Sequence, residues 1–344
     1  MAELLAMGDA ETVASWESLM LGYTETRGAP ALRAAVAQRF VGVQPEQVLC
    51  CVPCEGILLL HALIRPGERV VVTAPGYQSL HTLAETLGCQ VSFWQPRRLA
   101  GGWKFDVDDL AALVGDDNSP VGAIVINFPH NPTGCCLQPE ELQRVVDLSR
   151  QHNAILFSDE VYCPLGIPSP SACELGYPRA ITLGALSKTH SLPGLRVGWV
   201  VTHDQGLLEQ MANAKDYTTI CGSAPSEVLG IMALRATDTI LARNRDIIQR
   251  NTEAASQFFG RWPHVFQWEP PAGGTTAFPH IITGEPASEF CARVLAGCQV
   301  LLLPSSEYDN CPPGEYFRLG LGRRNCMEVL RILEDYLTRT QATK

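Results

Sequence analysis

The segment Ser187-Lys188-Thr189-His190-Ser191-Leu192-Pro193-Gly194-Leu195-Arg196-Val197-Gly198-Trp199 joins a lysine, a hydroxyl and an arginine around a Pro-Gly turn. The lysine follows Ala180-Ile181-Thr182-Leu183, a run with strand character that should lead into the interior. A lysine taken there without an adjacent carboxylate is costly, and its amine tends toward the neutral form. Neutral lysine attacks carbonyls, the chemistry of an imine-forming enzyme. Ser187 and Arg196 are natural anchors for a phosphate beside it. A solvated surface lysine is the ordinary reading of an isolated Ser-Lys pair, and the spaced arginine and glycines weigh against it.

Two upstream stations deliver further polar groups. Val121-Gly122-Ala123-Ile124-Val125-Ile126-Asn127-Phe128 has the length and apolarity of a strand buried on both faces, and it ends in the turn formers Pro129-His130-Asn131-Pro132-Thr133-Gly134. Ala154-Ile155-Leu156-Phe157-Ser158 is a second such run and delivers Asp159-Glu160-Val161-Tyr162 at its carboxyl end. Open α/β sheets bind ligands outside the carboxyl ends of their strands. Taken singly, Asn131 could make an Asx turn, Asp159 could cap a helix and Tyr162 could fill core. Together with Lys188 they are expected around one ligand.

These motifs, Asn-Pro-Thr-Gly and Ser-Lys…Pro-Gly-x-Arg-x-Gly-Trp, resemble those of the pyridoxal-phosphate enzymes of fold type I, class I/II aminotransferases, from about Tyr23 to Arg318. The resemblance implies a three-layer αβα large domain on a mostly parallel seven-stranded sheet, with a smaller α+β C-terminal domain. It implies pyridoxal 5′-phosphate as cofactor, held covalently by Lys188, which then shuttles the substrate Cα proton. Asp159 would pair with the ring nitrogen, Asn131 and Tyr162 would hydrogen-bond the ring oxygen, and Tyr77 would stack on the ring as a further catalytic group. Ser187 and Arg196 would hold the phosphate, joined by Tyr23 from the partner subunit of a homodimer. Arg318, with Asn131, would clamp the substrate carboxylate. The physics agrees: a carboxylate keeps the ring nitrogen protonated, a base of lowered pKa suits proton transfer near neutral pH, and a planar guanidinium binds carboxylate in two-pronged fashion.

Two departures stand out. Where the family's phosphate cup carries a small residue and a Ser or Thr hydroxyl, this chain reads Val52-Pro53-Cys54-Glu55-Gly56. Pro53 lacks an amide donor and Cys54 offers only a weak one, so Pro53, Cys54 and Glu55 should contact the cofactor chiefly through a helix amino terminus. The stretch before the matching tyrosine, Met1 to Gly22, is also short for the family.

A formal net charge of −10 argues against nucleic-acid or anionic-membrane partners. No basic-then-apolar leader opens the chain, and Gly56-Ile57-Leu58-Leu59-Leu60 is broken by His61 well short of a membrane span. Thirteen cysteines, an odd number and many of them in apolar runs, point to a reducing, cytoplasmic setting. Cys50-Cys51-Val52-Pro53-Cys54 has no second pair to complete a tetrahedral site, so no metal is expected.

Strands are expected at residues 48–52, 70–73, 91–94, 123–127, 154–158, 180–183 and 198–202, with helices over 28–40, 56–63, 79–87, 107–113 and 139–152. One long helix is expected from about Glu227 to Phe259, then strands over 276–280, 300–303 and 316–320. The domains follow: an N-terminal segment 1–22, a cofactor-binding domain 23–226, and a linking helix with the small domain over 227–344. His190 reads as packing, and Glu25 and Arg27 as a solvated turn.

The leading expectation is a transaminase exchanging an amino group between an L-amino acid and a 2-oxo acid. Asn127 to Pro132, Leu192 to Trp199 and Gly274-Thr275-Thr276-Ala277-Phe278-Pro279 also look like capreomycidine-synthase-type enzymes, so a lyase or cyclase sharing the Cα deprotonation is the alternative. A cofactor-sensing regulatory module is disfavoured, because the chain has neither room for a DNA-reading domain nor the charge for one.

Overall fold

The computed structural model describes residues 1–115 and 120–341. Seven strands form the central sheet: β1 (Val48–Cys51), β2 (Arg69–Thr73), β3 (Gln90–Trp94), β4 (Val121–Asn127), β5 (Ile155–Asp159), β6 (Ala180–Ala185) and β7 (Gly198–Thr202). Their order is β1-β7-β6-β5-β4-β2-β3. The run from β6 to β3 is parallel. Strand β7 is antiparallel to both of its neighbours.

Alternation explains why these runs are strands. Leu49, Val70, Val72, Val125, Phe157, Leu183 and Val200 point to one face, where they pack with helices α4 (Pro53–His61), α5 (Ser79–Thr86) and α8 (Gln205–Lys215). Val71, Ile124, Ile126 and Leu156 point to the other, against α6 (Val107–Val114) and α7 (Pro139–Gln151). Trp199 and Val201 meet α3 (Pro30–Ala37) and α9 (Ala224–Arg235) on that same side. Side chains of both faces are buried, so each strand reads as a continuous apolar run. The three-layer αβα reading holds.

Helix α4 lies unusually close to the sheet, since a Cβ at Gly56 would come within 2.7 Å of Leu183. It begins at Pro53, earlier than the apolar pattern suggests. Proline is well tolerated in a first helical turn, where its missing N–H would have no partner.

The C-terminal part builds a second core, in which Phe258, Phe259, Phe266, Phe290 and Phe317 gather with Leu330 and Leu333. The expected single helix over 227–259 is two, α9 and α10 (Thr237–Arg261), broken at Ala236. Buried Thr237 turns its hydroxyl onto the carbonyl of Leu234 (2.6 Å), which ends one helix and starts the next on a different core. The expected strand over 276–280 is likewise split, into Thr276–Ala277 (β8) and His280–Ile281, with Pro279 between them. Strands β9 (Leu303–Pro304) and β10 (Phe317–Gly320) follow, and β10 pairs with both β8 and β9. A hairpin over Arg97–Leu99 and Gly102–Lys104 was not legible in the sequence. It ties the two cores together: Arg98 reaches Glu269 at 2.5 Å, and Trp103 meets Tyr316 edge-on at 5.0 Å. No helix among the described residues is long and apolar enough to cross a membrane.

Candidate active site

Strand pairing places the first polar groups. Asn127 and Asp159 end neighbouring strands in register, and Leu183 continues that row on β6. Asn127 Nδ2 donates to the Asp159 carbonyl (3.0 Å), and Asn127 Oδ1 accepts from the Asn131 amide (3.1 Å). One asparagine, which the sequence reading passed over, thus fixes both expected residues. The Asp159 carboxylate accepts from the Val161 amide at 3.2 Å. It is almost wholly buried, and burial pushes its pKa up to about 7, with Glu160 adding and the Val161 amide and Lys188 opposing.

Lys188 leaves the carboxyl end of β6 and opens to the cleft, with Nζ 5.9 Å from the centroid of the Tyr162 ring. The surrounding protein lowers its pKa: desolvation leads, Arg318 adds, Asp159 opposes and Arg196 adds slightly. Arg318 comes from β10 and donates to Asn131 Oδ1 at 3.3 Å, so the second core supplies a cation to the same cleft. Arg196 follows the 3-10 turn Pro193–Leu195 in a left-handed conformation (φ 56°) and donates to the Pro193 carbonyl at 3.0 Å. Buried Ser187 Oγ has no protein partner.

Two glycine turns lock the loops together. Gly134, at φ 69°, has no space for a side chain: a Cβ there would sit 2.2 Å from Pro271 and 2.8 Å from the Thr276 carbonyl. Gly273 N donates to the Gly134 carbonyl (3.0 Å), and Gly274 N to Leu165 (2.8 Å). The Pro270–Gly274 turn therefore seals the Asn131 loop.

The other expected residues divide. Tyr162 is buried beside Lys188, and Tyr77 stands half exposed on the turn after β2. Tyr23 is 91% exposed and reaches nothing in its own cleft. Pro53 packs against β7, where a Cβ on Gly198 would be 3.0 Å from its ring. Cys54 is exposed at the start of α4. Glu55 keeps only its backbone for a ligand, in line with a contact through the helix amino terminus. Its carboxylate is committed to the Val52 amide, to Thr218 and Thr219, and to Lys215 Nζ at 3.8 Å, so its side chain is not available to a ligand. What this turn offers is the first amides of α4, which have no intrahelical acceptor.

His190 is packing, as read: its ring nitrogens meet Thr189 (2.8 Å) and Thr237 (3.0 Å), and burial lowers its pKa to about 4. Tyr308 was missed. Its buried hydroxyl lies beside Arg318 without a hydrogen bond of full geometry, and burial raises its pKa to about 12 with Arg318 opposing. No local signal marks it, because its nearness to Arg318 depends on how β9 and β10 pair.

An orphaned buried hydroxyl, an arginine beside it, a lysine of lowered pKa and a buried carboxyl lacking a full cationic partner fit one ligand: a phosphorylated aldehyde with a protonatable ring. Fold and site thus define an enzyme of the pyridoxal-phosphate-dependent class. Residues 9–330 match the family model "Aminotransferase class I and II", and the chain belongs to that family. It is 32% identical over 293 residues to capreomycidine synthase of Streptomyces vinaceus, covering 84% of this chain and 74% of that one. It is 31% identical over 219 residues to an arginine–pyruvate transaminase of Pseudomonas aeruginosa, covering 58% of this chain and 55% of that one. Among solved structures, a PLP-dependent aminotransferase from Streptococcus suis aligns with a TM-score of 0.89 at 31% identity, covering 98% of this chain and 90% of that one. The PLP-dependent cyclase OrfR aligns with a TM-score of 0.86 at 29% identity, covering 99% and 90%. The cofactor is pyridoxal 5′-phosphate, which when bound supplies an aldehyde carbon and an electron-withdrawing ring.

Proposed function

We propose that the chain is a transaminase that moves an amino group between an L-amino acid and a 2-oxo acid. The observation that carries this reading is the meeting of Lys188, Asp159 and Arg318 in one cleft, with Arg318 bonded to Asn131. Lys188 holds the cofactor through its amine and carries the proton at the substrate Cα, and its lowered pKa leaves more of it neutral for that work. Asp159 keeps the ring nitrogen protonated, Asn131 and Tyr162 hold the ring oxygen, and Tyr77 covers the ring. Ser187, Arg196 and the first amides of α4 receive the phosphate. Arg318 grips the substrate carboxylate, with Tyr308 beside it.

The division of labour is a cofactor-binding unit over 23–226 and a carboxylate-binding unit over 227–344. The enzyme acts as a cytoplasmic homodimer, in which Tyr23 crosses to the partner's phosphate. Its 91% exposure leaves it free to do so.

One observation favours a second reading, a cyclase or lyase: similarity to capreomycidine synthase spans most of the chain. Both reactions begin with loss of the Cα proton, so the constellation serves either. Product counting separates them. With cofactor-loaded protein and an amino acid alone, a transaminase yields about one 2-oxo acid per site and stops until an acceptor is added. A cyclase turns over repeatedly without acceptor. Arginine and related basic amino acids are the first substrates to try, since the two relatives include an arginine–pyruvate transaminase. Absence of any stoichiometric oxo acid across the amino-acid panel would refute the transaminase reading.

A further inference from the structure

Lys215 ends α8 with its side chain 1% exposed, among the largest fully buried side chains of the molecule. Its Nζ donates to Thr219 Oγ1 (2.6 Å) and stands 3.8 Å from Glu55 Oε2. Glu55 Oε1 accepts from the hydroxyls of Thr218 and Thr219 and from the Thr219 amide (3.3 Å), while Oε2 accepts from the Val52 amide (3.1 Å). A single carboxylate therefore clasps the amino end of α4 with one oxygen and the strap 216–222 with the other.

That strap has a second face. Tyr217 is 92% exposed and Ile220 49%, and Ile220 is held at φ 65°, a conformation that β-branched residues rarely adopt. Thr26 bonds Asp216 (3.2 Å), and Thr24 bonds the Gly222 carbonyl (3.3 Å) and Glu227 (3.2 Å), fastening the segment that carries Tyr23 beside it. Met20 and Leu21, each 83% exposed, extend the same segment. Apolar side chains so exposed, on a strap and on the segment that Thr24 and Thr26 fasten to it, suit contact with another protein surface. Burying an ion pair is not by itself a gain in stability, so its retention asks for a positional role.

We propose that Glu55 is a positioning residue that couples subunit association to cofactor binding. It rests on the shared-site homodimer reading, in which α4 receives the phosphate and the strap meets a second copy of this chain. When the partner fixes the strap, the Thr218, Thr219 and Lys215 contacts fix Glu55, and Glu55 fixes the first turn of α4 where the phosphate is received. Linkage makes the effect reciprocal: with one cofactor per protomer, cofactor must tighten the dimer by the square of the factor by which dimerisation tightens each cofactor site.

Sedimentation of wild-type protein with and without saturating pyridoxal 5′-phosphate reads the tightening of the dimer directly, and roughly a hundredfold or more, about tenfold per site, is expected. The double variant Thr218→Val/Thr219→Val should reduce the per-site factor below threefold and weaken cofactor binding at least tenfold, measured by absorbance titration of the apoprotein. Thr218→Ser/Thr219→Ser keeps the hydroxyls and should restore both. A wild-type dimer whose dissociation ignores the cofactor overturns the coupling whether or not any variant folds. So does a valine variant that melts earlier yet keeps wild-type cofactor affinity and linkage, because the network would then be merely structural. A protein that binds cofactor but stays monomeric at every concentration overturns the shared-site reading itself, a result distinct from a dimer without linkage.

Discussion

Replacing Asp159 by asparagine should stabilise the cofactor-free protein at alkaline pH while weakening its hold on the cofactor. Burial raises the Asp159 pKa from 3.8 to about 7. The folded apoprotein therefore keeps a proton that the unfolded chain releases. Stability from this group is complete below about pH 4 and is lost as pH climbs through about 7. A shift of roughly 3 units at about 1.4 kcal/mol per unit makes the loss about 4 kcal/mol at pH 8. At pH 5 most of the folded carboxyl is still protonated, and the corresponding loss is about 2 kcal/mol. Asparagine carries no charge at either pH, so Asp159→Asn should exceed wild type by about 4 kcal/mol at pH 8 and by about half of that at pH 5. Most substitutions destabilise, which makes a stabilising one of this size diagnostic. With cofactor the sign reverses. The ring cation becomes the partner that Asp159 lacks, and removing one member of a buried charge pair costs about 3–5 kcal/mol, a cofactor affinity lower by roughly two to three and a half orders of magnitude. Urea unfolding of both apoproteins at pH 5, 6.5 and 8, at one protomer concentration, gives the first quantity, and absorbance titration gives the second. Midpoints that stay parallel from pH 5 to pH 8 would refute the argument.

Arg318→Lys should raise KM for the amino acid roughly ten- to a hundredfold, from the loss of a two-pronged charge-assisted contact worth about 1.5–3 kcal/mol; steady-state kinetics with KM within twofold of wild type would contradict its assignment. Gly134→Ala should cost more than about 2 kcal/mol in urea unfolding, because the left-handed backbone and the approach to Pro271 leave no place for the methyl group. Tyr308→Phe should raise KM about fivefold with kcat nearly constant, the worth of about one hydrogen bond to the carboxylate site. Borohydride treatment of the cofactor-loaded protein should mark the peptide holding Lys188, and peptide mass mapping of Lys188→Ala should find no mark; a label elsewhere in wild type would displace Lys188 from its role.

The sequence by itself determined the sheet and the places where chemistry could sit. Seven apolar runs could be read because burial on both faces removes polar residues from consecutive positions, a property each strand carries locally. Asn131, Asp159 and Lys188 could be placed because each lies just beyond such a run. Tertiary structure alone decided what those residues meet. The Lys215 position reads locally as the basic end of an exposed helix, and only the approach of α4, some 160 residues earlier, makes it a buried partner of Glu55. The same holds for Tyr308 beside Arg318 and for the break at Ala236, where one amphipathic pattern serves two cores. Periodicity records how deeply a residue is buried; which distant group waits there is set by the packing of the whole chain.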